Sequence, residues 1–230
     1  MVTSTNKALT WSVYGSITAQ IVTGIITLGG LFLKVPPEHK LLSDINRIEL
    51  VVQCVEFIFY LYISMAVLSV SGITPRRYLD WNITTPVMLI STILFFVYSK
   101  SLEAGKDTSH LRWRSIIKDN QQNIILIVFM NFMMLQLGLL GELGWMNLYV
   151  SNITGFIFFI GVFYELYVDY AKGTHEGMKL FLFFLIVWTC YGFAQLLPVI
   201  PKNIMYNMLD IVAKNFYGLF IFYKMWLVKI

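Results

Sequence analysis

The sequence predicts an all-α fold, a seven-transmembrane-helix bundle with its N-terminus outside and its C-terminus cytoplasmic. Of its 230 residues, 57% are hydrophobic and only 13% are charged, and the mean hydropathy is +0.69. Soluble domains carry about 25% charged residues, so a water-soluble globule of this composition would lack the polar residues to cover its surface. Seven apolar runs and an uneven distribution of basic residues complete the prediction.

The apolar runs are long enough to cross a bilayer as helices, since a span needs about 20 residues and every backbone polar group in lipid needs an internal partner. Spans A to G cover residues 11–33, 47–71, 77–99, 119–141, 146–170, 177–198 and 203–229. No repeat or second domain is visible, so residues 1–230 are predicted to form a single multi-pass membrane domain. Neither a nucleic-acid partner, a metal site nor a conventional enzyme is indicated.

The orientation follows from the basic residues, because cytoplasmic loops carry an excess of Lys and Arg. One side of the predicted bundle holds twelve of them: Lys34, Lys40, Arg47, Lys100, Lys106, Arg112, Arg114, Lys118, Lys172, Lys179, Lys224 and Lys229. The opposite side holds Lys7, Arg76 and Lys202. This asymmetry places the C-terminus in the cytoplasm.

Span G contains two ionisable residues, Asp210 and Lys214, which are one helical turn apart on the same face. Charged groups within a membrane are costly and are functional candidates by default. The pair can be a structural ion pair, or Lys214 can act as an amine that condenses with an aldehyde, a role that desolvation favours. The spacing alone leaves both interpretations open.

Span C carries a second set of polar residues, which form one continuous stripe along the helix. Its members are Arg77, Asp80, Trp81, Thr84 and Thr85. With Lys214 cationic, the two positive and two negative charges of spans C and G would balance. A neutral set of four charges is what a dry interior requires.

Span B has a third polar stripe, formed by Glu49, Gln53, Glu56 and Tyr60 at intervals of four, three and four residues. Such a face contacts protein or water and avoids acyl chains. Two interpretations remain open for it. It is either a hydrogen-bond network between helices or subunits, or a hydrated path for ions or protons.

Two segments resemble the signatures of type 1 (microbial) rhodopsins, which are seven-helix proteins that carry all-trans retinal. They are RYLDWNITTP in span C and LDIVAK in span G, and WTCY in span F adds an aromatic pair typical of the family. The resemblance extends over all seven spans. The short connections are most similar to those of rhodopsins encoded by giant viruses.

This resemblance implies a role for each charged residue. Lys214 is expected to bind all-trans retinal covalently as a Schiff base, and Asp80 to be the primary counterion and proton acceptor. Asp210 is expected to be the second counterion and Arg77 a mobile cation. The residues expected around the chromophore are Trp81, Thr85, Met88, Asn131, Met134, Gly138, Gly155, Phe159, Trp188 and Tyr191. Among these, Trp81 and Trp188 would enclose the polyene and Tyr191 would hydrogen-bond towards Asp210.

The three-position functional motif reads Asp80, Thr84 and Ser91. Asp80 argues against an inward chloride pump, and Thr84 argues against the sodium-pump pattern, so a light-driven outward proton pump is the leading hypothesis. Ser91 stands where bacteriorhodopsin has its cytoplasmic proton donor, so reprotonation is expected to be slow or to use water or another carboxylate. Gly192 occupies a position where proline is usual, so span F is expected to hinge differently.

Two other functions remain open. A light-gated cation channel is the alternative, motivated by the stripe on span B and the missing donor, and a sensory photoreceptor is the third possibility. The transported species would be protons or small cations. Relatives suggest a homo-oligomer, either a trimer or a pentamer.

Overall fold

The computed structural model describes residues 4–66 and 72–230, and this part of the chain is helical without strands. The long helices are α1 (Ser4–Gly29), α2 (Lys40–Ala66), α3 (Ile73–Glu103), α5 (Gln121–Glu142), α6 (Leu148–Glu165) and α7 (His175–Gln195), and the shorter ones are α4 (Trp113–Asp119), α8 (Val199–Asp210) and α9 (Phe216–Leu227). The seven-helix bundle predicted from the sequence is confirmed. Its orientation in the membrane stays a prediction. The end of predicted span B, residues 67–71, lies outside the described residues.

The helices extend beyond the apolar runs at several boundaries. α2 begins at Lys40, seven residues before predicted span B, and α3 continues to Glu103, four residues past predicted span C. Hydropathy marks where lipid begins, whereas backbone hydrogen bonding continues into the polar interface. The seven-residue helix α4 lies in the connection after α3 and has no apolar run to reveal it.

Two helices contain a π-helical turn. Residues Leu166–Ala171 continue α6 in this form, and Ile211–Asn215 join α8 to α9. Among the described residues, six helices have the length and apolar content to cross a membrane. The seventh span is divided by its π turn into two 12-residue helices. Turns of this kind often occur at functional sites, and this one carries Lys214.

α3 occupies the centre of the bundle. It packs against α2, α5, α7 and α8, and 67% of its most apolar window is buried, against 28–33% for the other five spans. The other helices surround it in chain order, and α1 closes the ring against α8 and α9. Since α3 and the α8–α9 segment carry the predicted site residues, this packing brings those residues together in the interior.

Polar contacts also join neighbouring helices at each end of the bundle. Glu103, at the end of α3, accepts hydrogen bonds from the backbone N–H groups of His175 (2.7 Å) and Glu176 (2.9 Å) at the start of α7. At the other end of the bundle, Lys202 of α8 donates to both carboxylate oxygens of Glu142 of α5, at 2.9 and 3.0 Å. These contacts fix the positions of α5, α7 and α8 around the central helix.

Candidate functional site

Lys214 lies at the centre of the candidate site and is only 2% exposed. Its Nζ atom is 2.6 Å from Oδ2 of Asp80, 3.6 Å from Oδ1 of Asp210 and 3.9 Å from Oε1 of Glu56. The π turn places Lys214 on the bundle interior, while Asp80 comes from α3 and Glu56 from α2. Three carboxylates from three helices therefore surround one amine.

Arg77 forms the next layer, towards the N-terminal end of α3. It is 1% exposed, and its Nη1 atom is 3.2 Å from Oδ2 of Asp210. Its Nε atom donates to Oδ1 of Asn203 at 2.9 Å, and Nη2 donates to Oδ1 of Asn207. The guanidinium group also donates to the Tyr60 hydroxyl at 3.2 Å. α8 thus holds Arg77 through side chains that recur at intervals of four and three residues on one helical face.

Asp210 accepts hydrogen bonds from three aromatic side chains. The donors are the hydroxyl groups of Tyr60 (2.7 Å) and Tyr191 (2.8 Å) and the indole N–H of Trp81 (3.3 Å). These three hydrogen bonds fix the position of the Asp210 carboxylate between Arg77 and Lys214.

The charges of the site differ from the balanced set of four expected from the sequence. Glu56 is fully buried and lies beside Lys214, so three carboxylates face the two cations Arg77 and Lys214. The set of four charged residues expected from the sequence is therefore incomplete, because α2 contributes a fifth ionisable group, and the five groups are neutral together only if they retain one proton. The polar stripe of span B, which has no evident link to spans C and G in the sequence, belongs to the same site through Glu56 and Tyr60.

Lys214 lines an internal cavity whose other walls are formed mainly by α3, α5, α6 and α7. The residues expected around the chromophore all line it except Asn131. The lining residues that sequence reasoning missed are Tyr78, Leu135, Ser151, Asn152, Phe156, Gly192, Gln195, Tyr206 and Ala213. Asn131 lies one layer behind the wall, where its Nδ2 atom donates to Thr85 Oγ1 at 2.8 Å.

The lining of the cavity fits an apolar ligand attached to Lys214. Seven of the nineteen lining residues are aromatic, among them Trp81 on α3 and Trp188 on α7. Glycine keeps the space open: a Cβ atom on Gly138 would lie 2.8 Å from the Tyr78 hydroxyl, closer than real Cβ contacts allow. A primary amine that lines such a cavity can form an imine with an aldehyde.

The remaining residues of the three-position motif lie along α3. Thr84 donates to the backbone carbonyl of Asp80, at 3.0 Å, within its own helix. Ser91 donates to a carboxylate oxygen of Glu49 on α2 and is fully buried with it. Ser91 is therefore in contact with a carboxylate from a different helix, which the position of Glu49 in the sequence did not reveal.

A row of buried polar atoms continues between α1, α2 and the π turn. The side-chain atoms that have no hydrogen-bond partner in the described structure include both carboxylate oxygens of Glu56, both amide atoms of Gln20, Nε2 of Gln53 and Oδ1 of Asn215. Buried polar atoms almost always have partners, and internal water supplies them where protein does not. This side of the bundle can therefore hold water.

The fold and this site define a seven-helix membrane protein with a buried lysine surrounded by carboxylates. The chain matches the family described as bacteriorhodopsin-like protein over residues 10–228, and it belongs to that family of microbial rhodopsins. Members of the family bind retinal and are light-driven pumps or receptors. The chain is a multi-pass membrane protein of the rhodopsin type.

Solved structures give the same result. Viral rhodopsin OLPVRII has 26% sequence identity and a TM-score of 0.80, with 93% of this chain and 95% of that chain covered. The rhodopsin of Exiguobacterium sibiricum has 19% identity and a TM-score of 0.76, with 98% of each chain covered. The light-driven proton pump of Coccomyxa subellipsoidea has 19% identity and a TM-score of 0.66, covering 97% of this chain and 98% of that chain. The last two support the fold alone. No curated protein matches the chain at a significant level.

Proposed function

We propose that this protein is a light-driven outward proton pump that carries all-trans retinal as a Schiff base on Lys214. The observation that carries the proposal is the 2.6 Å contact between Lys214 Nζ and Asp80 Oδ2 in the dry interior. Retinal, when bound, would supply the absorption of light and a change of shape. The proton-transfer steps themselves are carried out by side chains of this protein.

The first step is the transfer of a proton from the Lys214 nitrogen to Asp80. An ionised Asp80 is stabilised by the adjacent cation, and moving the nitrogen away removes that stabilisation. The proton then passes to the Asp80 oxygen, and the nitrogen becomes neutral. Because Asp80, Asp210 and Glu56 share the two cations, a proton that moves onto one of these carboxylates changes the electrostatic surroundings of the other two.

The proton would leave past Arg77, towards the end of the bundle where the N-terminus lies. Protonation of Asp80 removes one negative charge from the cluster, which weakens the hold of the cluster on the guanidinium group. Polar groups continue in that direction: Asn203 donates to Thr74 at 2.8 Å, and Asn207 donates to Ser12 at 2.7 Å. With the N-terminus outside, this direction is outward.

Return of a proton from the other side would use Glu49. This carboxyl group contacts Ser91, the third residue of the functional motif. Ser91 lies beyond the Lys214 cluster in the direction of the C-terminal end of α3. A carboxylic acid can store a proton, which the hydroxyl of Ser91 cannot. We propose that the donor function has moved from α3 to α2.

Photocurrent recorded against membrane voltage tests this function. A pump gives an outward current that does not reverse over the accessible voltage range. Lys214→Ala should abolish both the visible absorption band and the current, whereas Lys118→Ala, in the short helix α4, should retain both. A visible band in Lys214→Ala would contradict the attachment to this residue.

A light-gated cation channel is the second candidate, and the polar row between α1, α2 and the π turn favours it. A pore needs continuous hydrated polar surface, and Gln20, Gln53, Glu56 and Asn215 provide unpartnered polar atoms on one side of the bundle. A photocurrent that reverses near the cation equilibrium potential would establish the channel and exclude the pump.

We also propose that residues 1–230 act as one retinal-binding domain and that the protein assembles as a homo-oligomer, a trimer or a pentamer. The exposed side chains of Trp11, Tyr14 and Thr18 form a continuous outer face on α1 that a neighbouring copy could cover. Light scattering of the detergent-solubilised pigment would distinguish the two assemblies from a monomer.

A further inference from the structure

Polar side chains line the part of the cavity that is bounded by α5, α6 and α7. If retinal is bound to Lys214, as proposed above, its rigid and extended polyene would place the ring in this part of the cavity, away from the π turn. Asn152 of α6 and Gln195 of α7 line the cavity there, together with Tyr78 and Gly138. The ring of retinal is a hydrocarbon and offers these groups no hydrogen bond.

The two amides are only partly used in holding the helices together. Asn152 Nδ2 donates to the Gly192 carbonyl at 2.8 Å and to Gln195 Oε1 at 2.9 Å. Gln195 Nε2 donates to the Gly138 carbonyl at 3.1 Å. These bonds link α5, α6 and α7, and they engage one side of each amide.

Hydrogen-bonding capacity remains unused on the cavity side. In the described structure, Asn152 Oδ1 accepts no hydrogen bond, and the Tyr78 hydroxyl has no hydrogen-bond partner although it lies beside Gly138. An amide carbonyl accepts and a phenol both donates and accepts. Both side chains line the cavity, and they are close to each other through Gly138, which lies beside the Tyr78 hydroxyl, and Gln195, which bonds both Gly138 and Asn152.

Leaving such groups unpaired in a membrane interior is unfavourable. A ligand with a hydroxyl group at this point would satisfy both, since the hydroxyl would donate to Asn152 Oδ1 and accept from Tyr78. We infer that the cavity recognises a retinal whose ring carries a hydroxyl substituent, in preference to retinal with an unsubstituted ring. The proposal concerns the ring end alone and rests on the proposed attachment to Lys214.

Competitive regeneration of the pigment tests this inference. The apoprotein is mixed with a limiting, equimolar mixture of all-trans retinal and all-trans 3-hydroxyretinal, and the bound retinoids are then extracted and quantified by chromatography. One or two additional hydrogen bonds predict about a five- to thirtyfold enrichment of the hydroxylated form, given a net contribution of roughly 1 kcal/mol for each. Equal incorporation, or enrichment of plain retinal, would overturn the inference.

Variants identify the residues that are responsible. Tyr78→Phe removes one oxygen without changing the shape of the side chain, so it should fold, form the pigment with retinal and lose most of the enrichment. Asn152→Leu should also lose it. Gln136→Leu is the matched control, since this amide donates to Asn82 at 2.8 Å outside the cavity and its replacement should leave the enrichment intact.

The outcomes separate this inference from the proposed function. If neither retinoid gives a visible band, the proposed attachment to Lys214 fails. If plain retinal gives the pigment and the wild-type protein shows no enrichment of 3-hydroxyretinal, only the inference about the ring end fails. Enrichment that persists in Tyr78→Phe and Asn152→Leu would also overturn it, because these side chains would then not be its source.

Discussion

At the level of single residues, the most consequential position is Glu49. It is fully buried, one of its oxygens accepts the hydrogen bond of Ser91, and the other has no partner in the described structure. A carboxyl group in such surroundings is expected to be neutral, because an isolated buried charge is far more costly than a buried acid. Neutral Glu49 would be a proton source for the Lys214 nitrogen.

Replacement of Glu49 by Gln keeps the hydrogen bond to Ser91 and removes the transferable proton. We expect decay of the deprotonated form of the pigment to slow at least tenfold, since general acid catalysis typically contributes about 10²–10⁴-fold. Flash photolysis followed at several pH values measures it. The rate in Glu49→Gln should depend more steeply on bulk pH, because protons must then come from solution.

Asp44→Asn is the matched control on the same helix, because Asp44 pairs with the exposed Arg47 at 3.5 Å and has no contact with Ser91. Its decay rate should equal that of the wild-type protein. Unchanged decay in Glu49→Gln would show that the donor lies elsewhere.

Glu56 makes the second prediction at this scale. Three carboxylates and two cations are neutral together only if the cluster retains one proton. At high pH that proton should leave, which adds negative charge beside the cationic nitrogen. Stabilising the positive charge there would move the absorption maximum to shorter wavelength.

At alkaline pH we expect the absorption maximum of the wild-type pigment to move to shorter wavelength. We expect this shift to be lost in Glu56→Gln. Spectra recorded across the pH range measure it, and Asp44→Asn, which removes a carboxyl group twelve residues earlier on α2, serves as the control. An alkaline shift of equal size in Glu56→Gln would place the shared proton on another group.

At the level of elements, the sequence predicted which helices carry the site, since the stripes on spans C and G are periodic and charged. It did not predict that Glu56 and Tyr60 of α2 face the same centre. The sequence of a helix shows which of its residues share a polar face. Which neighbouring helix that face contacts depends on how the helices are rotated about their axes when they pack. The same limitation explains why Asn152 and Gln195 were missed, since lone amides carry no periodic signal. Asn203 and Asn207 do share a helical face with Asp210, at intervals of four and three residues, and that spacing could have identified them.

Helix packing around the cavity makes a third prediction. A methyl group on Gly138 would lie 2.8 Å from the Tyr78 hydroxyl, so Tyr78 would have to move into the cavity. Overpacking of this kind costs about 1–3 kcal/mol. Gly138→Ala should therefore form pigment several-fold more slowly with retinal, as followed by the rise of the visible band.

Gly15→Ala on α1 is the control, because nothing lies within 4 Å of the added methyl group. It should regenerate at the wild-type rate. Regeneration of Gly138→Ala at the wild-type rate would mean that the cavity wall yields more easily than the packing indicates.

At the level of the whole molecule, the pair between Lys202 and Glu142 connects α8 to α5, which are far apart in sequence. Both side chains are nearly inaccessible, at 4% and 7% exposure. Removing one partner of such a pair leaves an uncompensated charge, which costs roughly 3–5 kcal/mol, whereas replacing both with apolar groups is often neutral.

Lys202→Met should thus lower the thermal unfolding midpoint of the pigment, and the double variant Lys202→Met with Glu142→Leu should restore most of the loss. Thermal bleaching of the visible band measures both. If the double variant is as unstable as the single one, the lysine stabilises the bundle through its packing and not through its charge.

The π turn at Ile211–Asn215 has a consequence for how this protein can change during evolution. One extra residue in a helical turn rotates everything after it by about 100° relative to an uninterrupted helix. Deleting a single residue near Lys214 would therefore not remove one contact but would re-aim the whole of α9, including the buried Tyr217, Ile221 and Met225, while α8 kept its hold on Arg77. The two halves of the last span therefore keep their relative rotation only while the number of residues between them stays the same.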